Sequence, residues 1–478
     1  MAEVGGTTPG QTRPSRRGRR VVGVVLAGAL LATTAACGAR WTDDERAAVH
    51  ARSQGTGGTG QSEDTTGGAA DGASDTTVPG VVVDGGTTGG TTGGTGGTTT
   101  GGTGGPAGPQ PCAAKSTAPG VTDTTITLGT ISTVSGPVPG LGEAAIAAVR
   151  SYVAYRNATG GVCGRKLAVK TGDDGAENGR FRALAQDMAN TTLGIVGNFA
   201  AGDGGGVDVV TSNKVAAVVT AFSDAFQDAP TVFDINPPPP NLKAVIGKFR
   251  YLYDHGVRTA SIATLAQAQS IAQLNIQASL MEAAGIKVVN RQELPVSTLS
   301  FDASARAVAN SKADYFLFLG AGNLNTSMAR SIKDTGYKLK FNEYLTAYGS
   351  NFIAVAGDAA EGASSWARSL PTEEASSNPE LAAFVEWMGR IAPGISPDTI
   401  AADGWASTKA YVDALTALPG PITRDAVLAQ LRATETYDGG GFFGPIKLAA
   451  KKSNNCYVAM VVSGGKWKRM TPDRGFIC

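Results

Sequence analysis

Histidine is nearly missing from the 478 residues: only His50 and His255 occur, and neither stands beside a candidate nucleophile. His50 lies in a polar tract, and His255 precedes a glycine at an expected helix end, where an imidazole complements the helix dipole. There is no HExxH, no GxSxG elbow and no CxxC. The chain therefore offers no material for a serine-type triad or for a zinc site of ordinary ligand spacing, and neither a metal nor another cofactor is expected. A charge excess is missing too, with 41 basic residues against 40 acidic ones. No global field draws the chain toward nucleic acid. The apolar run at 21–36 falls short of the roughly 20 residues that a membrane span needs. These absences favour a binder over an enzyme. The one paired carboxylate that could act on a glycoside, Asp173 with Asp174, simply follows a strand end.

What is present begins with a leader. "RPSRRGRRVVGVVLAGALLATTAAC" joins five arginines, a short apolar run and small residues, the parts of an export signal. It closes on "TTAAC" before Gly38, which resembles the bacterial lipoprotein box, with Thr34 where that motif prefers Leu or a similar apolar residue. The resemblance implies a signal peptide over 1–36, cleavage before Cys37, and a lipid on Cys37. It also implies a place on the outer face of a bacterial cytoplasmic membrane. Residues 37–111 read as a tether. Its part from 53 on contains "GGTTGGTTGGTGGTTTGGTGG" and too few apolar groups to offset the entropy of ordering. As a flexible coil of about 60 residues it would span about 40–45 Å root-mean-square.

Setting Cys37 aside leaves Cys112, Cys163, Cys456 and Cys478, an even set in an exported chain. Three pairings are possible, and nearness in sequence favours Cys112 with Cys163 and Cys456 with Cys478.

From residue 121 apolar strands alternate with amphipathic helices. "ITLGTIST", "KLAVKTGDD", "LGIVGNF" and "AAVVTAF" are strands, and the helix after 142 stops at Gly160-Gly161. The alternation resumes with a helix over 241–255, strands "TASIATL", "KVVNRQEL" and "DYFLFLG", and helices between them. This pattern predicts an α/β fold with parallel sheets covered on both faces. "FDINPPPPNL" interrupts it. Four prolines can enter neither a helix interior nor a central strand, so 236–240 is a boundary and a candidate hinge.

"SGP" at 135–137, "NATGGVCGRKL" at 157–167, "DD" at 173–174 and "GYK…AGDAAEG" at 336–362, in that order, resemble the type I periplasmic binding proteins of the leucine/isoleucine/valine-binding branch, which deliver ligands to ABC importers. The likeness covers roughly 121–465. It implies two Rossmann-like lobes with parallel sheets joined by three crossover strands: 121–235 with 366–448, and 240–365 with 449–478. It implies a monomer whose partners are a small-molecule ligand in the cleft and a membrane permease. A sensor or cell-wall scaffold on the same fold, or a pocket that has lost its ligand, is left open by the sequence.

"LGIVGNFAAGDGGGVDVV" at 193–210 joins a strand, a glycine turn and a helix. A GxGxxG from Gly202 would need glycine at Val207, and no GK[ST] follows, so it is not a phosphate loop. Glycines before a helix start suit close approach of a small carboxylate. In the resembling family this turn and the next strand end hold the ligand carboxylate. That carries over to Gly202 and to Ser223, whose hydroxyl would bind the ligand or cap the following helix. Asp203 would repel an anion if it faced inward, and Asp203 or Asp224 could serve a ligand's donors instead. The family's aromatic wall falls on Leu141, on Gln267 or Ala268, and on Ala321 or Gly322. Leu345 stands where amino-acid binders carry the acid that holds the ligand's ammonium. The nearest acid, Glu343, is expected to face away. The implied ligand is a carboxylate or amide without a free α-amine.

Overall fold

The computed structural model describes residues 111–478 apart from 138, 238–241, 321, 350 and 454. The expected leader, Cys37 and the tether to residue 110 lie outside these residues, as do the prolines 238–240 and Ala321.

Five strands, β1 (Thr125–Ser132), β2 (Lys166–Asp173), β3 (Ile195–Phe199), β4 (Ala217–Thr220) and β5 (Val232–Asp234), form one sheet in the order β2-β1-β3-β4-β5. All neighbours are parallel, and β1 meets β2 from Thr125 opposite Lys166 to Ser132 opposite Asp173. From Leu128 on, every residue of β1 is buried, because helices cover both faces of the sheet. The connections carry α1 (Glu143–Ala158), α2 (Asn178–Thr191), α3 (Val207–Ser212) and α4 (Asp224–Asp228). Helix α1 stops where Gly161 takes φ +77° and comes so near the Arg165 carbonyl that a Cβ would sit 2.2 Å from its oxygen. Only glycine fits both demands.

The pattern then repeats. Strands β6 (Thr259–Leu265), β7 (Lys287–Leu294), β8 (Tyr315–Leu319), β9 (Phe341–Tyr344) and β10 (Ala363–Ala367) stand in the order β7-β6-β8-β9-β10, the same arrangement as in the first sheet. With them go α5 (Gly247–Asp254), α6 (Ala268–Ala283), α7 (Asp302–Ser311), α8 (Asn323–Asp334) and α9 (Phe352–Ala356). Helix α5, expected from residue 241, starts only at Gly247, where the C-terminal Cys478 backbone packs against it.

After β10 the chain returns to the first sheet. There α10 (Pro379–Ile391), α11 (Thr399–Thr416) and α12 (Arg424–Ala433) are laid down, α11 packing on α1, β3 and β4. Fourteen of the 18 residues of α11 are buried, so this helix is core rather than cover. Arg424 donates to the carbonyls of Ala189, Thr192, Leu193 and Asn213 at 2.6–3.2 Å, collecting oxygens that the end of α2 leaves open. A small hairpin of β11 (Ile446–Lys447) and β12 (Lys452–Ser453) follows. Then β13 (Val458–Val462) and β14 (Trp467–Thr471) extend the second sheet beyond β10.

These last two strands add an antiparallel edge to the otherwise parallel second sheet: β13 is antiparallel to β10, and β14 to β13. The cause is local. The chain leaves the second sheet at the end of β10 and comes back at that same end, so Val458 lies opposite Ala367. A tight turn closed by Ser463 and Lys466 joins β13 to β14, and such a turn can connect only antiparallel strands. Strand β10 holds its pairing with β13 through Trp366 and Ala367.

The architecture is thus α/β, with two Rossmann-like lobes and three passages of chain between them. Disulfides join Cys112 to Cys163 and Cys456 to Cys478, the pairing that nearness in sequence favours. Arg165 braces the first bridge by donating to the carbonyls of Cys112, Ala114, Thr122 and Cys163. Among the described residues no helix is long and apolar enough to cross a membrane.

Candidate functional site

In an open parallel sheet, ligands collect outside the carboxyl ends of the strands, where the strand order reverses. That point falls between β1 and β3 in the first lobe, and between β6 and β8 in the second. The residues that follow those strands are the candidates.

Beyond β1, β2 and β3 the backbone is stitched by the chain's own carboxylates. Asp174 is fully buried. One of its oxygens accepts from Thr133 Oγ1 (2.7 Å) and the Ala176 amide (3.1 Å), the other from the Gly202 amide (2.8 Å). Asp173 takes the amides of Val134, Ser135 and Gly175 and the Ser135 hydroxyl. Burial pushes the Asp173 carboxyl up, but these donors outweigh it and hold the group well below the usual carboxylate range. The pair serves as a clasp, not as a pair of catalytic acids.

The glycine turn is shaped by packing. A Cβ on Gly202 would lie 2.7 Å from the Glu177 carbonyl, and one on Gly205 would lie 2.0 Å from that of Asn178. The turn needs glycine because the start of α2 presses against it. Asp203 is buried and accepts from the amides of Phe222 (2.6 Å) and Ser223 (3.0 Å). Burial lifts its carboxyl to about 6, although hydrogen bonds from the Ser223 side chain and both amides pull it partway back. Ser223 Oγ caps α4 by accepting from the Phe226 amide at 3.3 Å, so of the two roles open to this hydroxyl the structure displays the cap. Asp224 opens α4 in solvent. Gly202, Asp203 and Ser223 are therefore brought together, but the amides of Gly202 and Ser223 already face internal carboxylates.

Apolar side chains stand at this edge as well. Leu141 is partly exposed beside Gly142, whose amide donates to the Thr133 carbonyl at 2.7 Å. Phe199 and Phe222, at the ends of β3 and β4, are partly exposed and meet edge-to-face with centroids 4.8 Å apart. The sequence pattern did not single out this pair. Its signal was an aromatic residue at or just after the end of each buried strand.

The second lobe brings Gln267, Gly322 and Leu345 to the carboxyl ends of β6, β8 and β9. Gln267 precedes Ala268, the first residue of α6, and Gly322 (φ +51°) stands open to solvent before α8. Leu345 is 41% exposed, while Glu343, two residues earlier, is sealed. The Glu343 carboxylate pairs with Lys248 Nζ at 2.6 Å and accepts from the Tyr315 hydroxyl, inside the lobe. No acid occupies the Leu345 position, and the nearest one on its strand is neutralised by a buried lysine.

Comparison with known proteins fits this geometry. The sequence model of a family described as "Periplasmic binding protein" matches residues 125–466. No curated protein sequence matches the chain. Among solved structures, a fatty acid ABC transporter substrate-binding protein from Thermomonospora curvata is similar at 19% identity and a TM-score of 0.63, covering 75% of this chain and 94% of its own. A branched-chain amino acid transporter substrate-binding protein, LivJ from Streptococcus pneumoniae, solved in complex with isoleucine, shows 17% identity and a TM-score of 0.60 over 73% of this chain and all of its own. A leucine-binding protein, LivK from Thermotoga maritima, shows 18% identity and a TM-score of 0.59 over 72% and 98%. A parallel sheet built twice in one strand order, three passages between the lobes, and a family match over most of the folded region lead to one statement: the chain belongs to the type I periplasmic binding proteins.

Proposed function

We propose that this protein is an extracytoplasmic, lipid-anchored solute receptor that captures a small carboxylate or amide-type compound without a free α-amine and delivers it to an ABC importer. In this reading Cys37 carries the lipid, 37–111 is the tether, and the lobes are 121–235 with 366–448 and 240–365 with 449–478. Ligand touching both lobes favours their closed arrangement by its differential affinity, and the closed form is what a membrane partner recognises.

The observation that carries the ligand class is Leu345 at the mouth of β9, with Glu343 committed to Lys248. An ammonium brought out of water without an acceptor is disfavoured by several kcal/mol. The half-exposed Phe199–Phe222 pair and Leu141 favour an apolar body on the ligand. The relatives' printed ligands include both a fatty acid and isoleucine, so the ligand class rests on the residues above.

Thermal unfolding of the purified chain, disulfides intact, against amino acids, organic acids, amides and aromatic acids tests the reading. Ligand at a hundred times its dissociation constant adds about 2.7 kcal/mol to the folded state. The expected result is a rise in melting temperature with amine-free acids or amides. A rise confined to leucine, isoleucine or valine contradicts the ligand class, and silence across the panel contradicts a working pocket.

A further inference from the structure

The three passages between the lobes meet at one side chain. Arg368 lies on the second passage, just after β10. Its Nη2 donates to the Pro237 carbonyl on the first passage at 3.2 Å and to Ser453 Oγ on the third at 3.1 Å. Its guanidinium carbon stands 5.6 Å from the centre of the Tyr457 ring, also on the third. Its own carbonyl accepts from the Gly444 amide, and two residues on, the Leu370 amide donates to Phe442, so the second and third passages run side by side. The positive charge interacts with two buried carboxylates of the first lobe, Asp234 at the end of β5 and Asp403 on α11. Backbone bonds already join the second and third passages, and the Arg368 side chain adds the first to them through Pro237. A planar fork reaching two of them from the third makes them move together.

We propose that Arg368 is a positioning residue that clamps the three passages into a single hinge, so that the lobes turn about one axis. The inference rests on the closing-lobe reading above, but its test does not require a ligand. Spin labels are placed through unnatural amino acids at Gln186 and Asn310, exposed residues of the two lobes. Pulsed dipolar spectroscopy then gives the distribution of inter-lobe distances. Arg368→Met keeps the apolar stem and removes every side-chain tie, and Ser453→Ala removes one. The expected result is a broader distance distribution in ligand-free Arg368→Met than in the unsubstituted chain, with a smaller broadening in Ser453→Ala. Circular dichroism and a single cooperative melt establish that each variant is folded. If Arg368→Met does not fold, Ser453→Ala carries the test. Unchanged width in folded Arg368→Met, or in Ser453→Ala where it stands alone, overturns the clamp. Failure of leucine and 4-methylpentanoate to shift the mean distance in the unsubstituted chain would count against the ligand reading and leave the comparison of widths intact.

Discussion

Asp173 and Asp403 carry the same carboxyl group and are displaced in opposite directions. Asp173 gathers amide and hydroxyl donors at the protein edge and stays charged deep into acid. Asp403 is buried near Asp234, and burial lifts both to about 7, against the pull of Arg368. Asp203 follows at about 6. An unfolded aspartate titrates near about 3.9. Groups raised above that value contribute stability that is fully present below about pH 4 and is lost as pH climbs through 6 to 7. The lowered group, Asp173, works the other way, and its contribution fades only as pH falls below that ordinary value. The melting temperature should therefore rise as pH drops from 8 to 5. Asp403→Asn, which still accepts from Thr220 Oγ1, should flatten that rise. A melting temperature that falls between pH 8 and pH 5 would contradict the assignment.

Single strands and helices show where buried charge does structural work. Lys248 on α5, Glu343 on β9 and Tyr315 on β8 lock three elements of the second lobe together. Glu343→Ala should cost about 3–5 kcal/mol in urea unfolding because it strands Lys248. Replacing both partners, Lys248→Met with Glu343→Leu, should cost far less; equal losses would mean that the pair matters for packing rather than charge. The elements themselves were legible, since apolar runs such as "DYFLFLG" and "AAVVTAF" are buried strands. Strand β13 with β14 was not, because its direction depends on where the third passage re-enters. The glycines at 202–206 announced a turn but not its occupant: Asp203 turns inward through contacts with residues about twenty positions later, Phe222 and Ser223. Strand parity alone would have put Glu343 and Leu345 on one face, and they part because the strand ends at Tyr344; the partner Lys248, nearly a hundred residues away, could not be read from the sequence either.

At the scale of the molecule, one five-strand order is built twice, and the proposed site draws on the carboxyl edge of each sheet. Disulfides fasten both ends of the described chain, closing 51-residue and 22-residue separations. By chain entropy these loops are worth about 4 and 3.4 kcal/mol, which suits a protein that works outside the cell. The proposed ligand class turns on Leu345, which offers no acid to an ammonium, and calorimetry tests that directly. Leucine and 4-methylpentanoate, its counterpart without the amine, would be titrated into the unsubstituted chain and into Leu345→Glu. A site without an ammonium acceptor should bind 4-methylpentanoate at least about tenfold more tightly than leucine, a difference of about 1.4 kcal/mol, and Leu345→Glu should reverse the order. Tighter binding of leucine by the unsubstituted chain would contradict it.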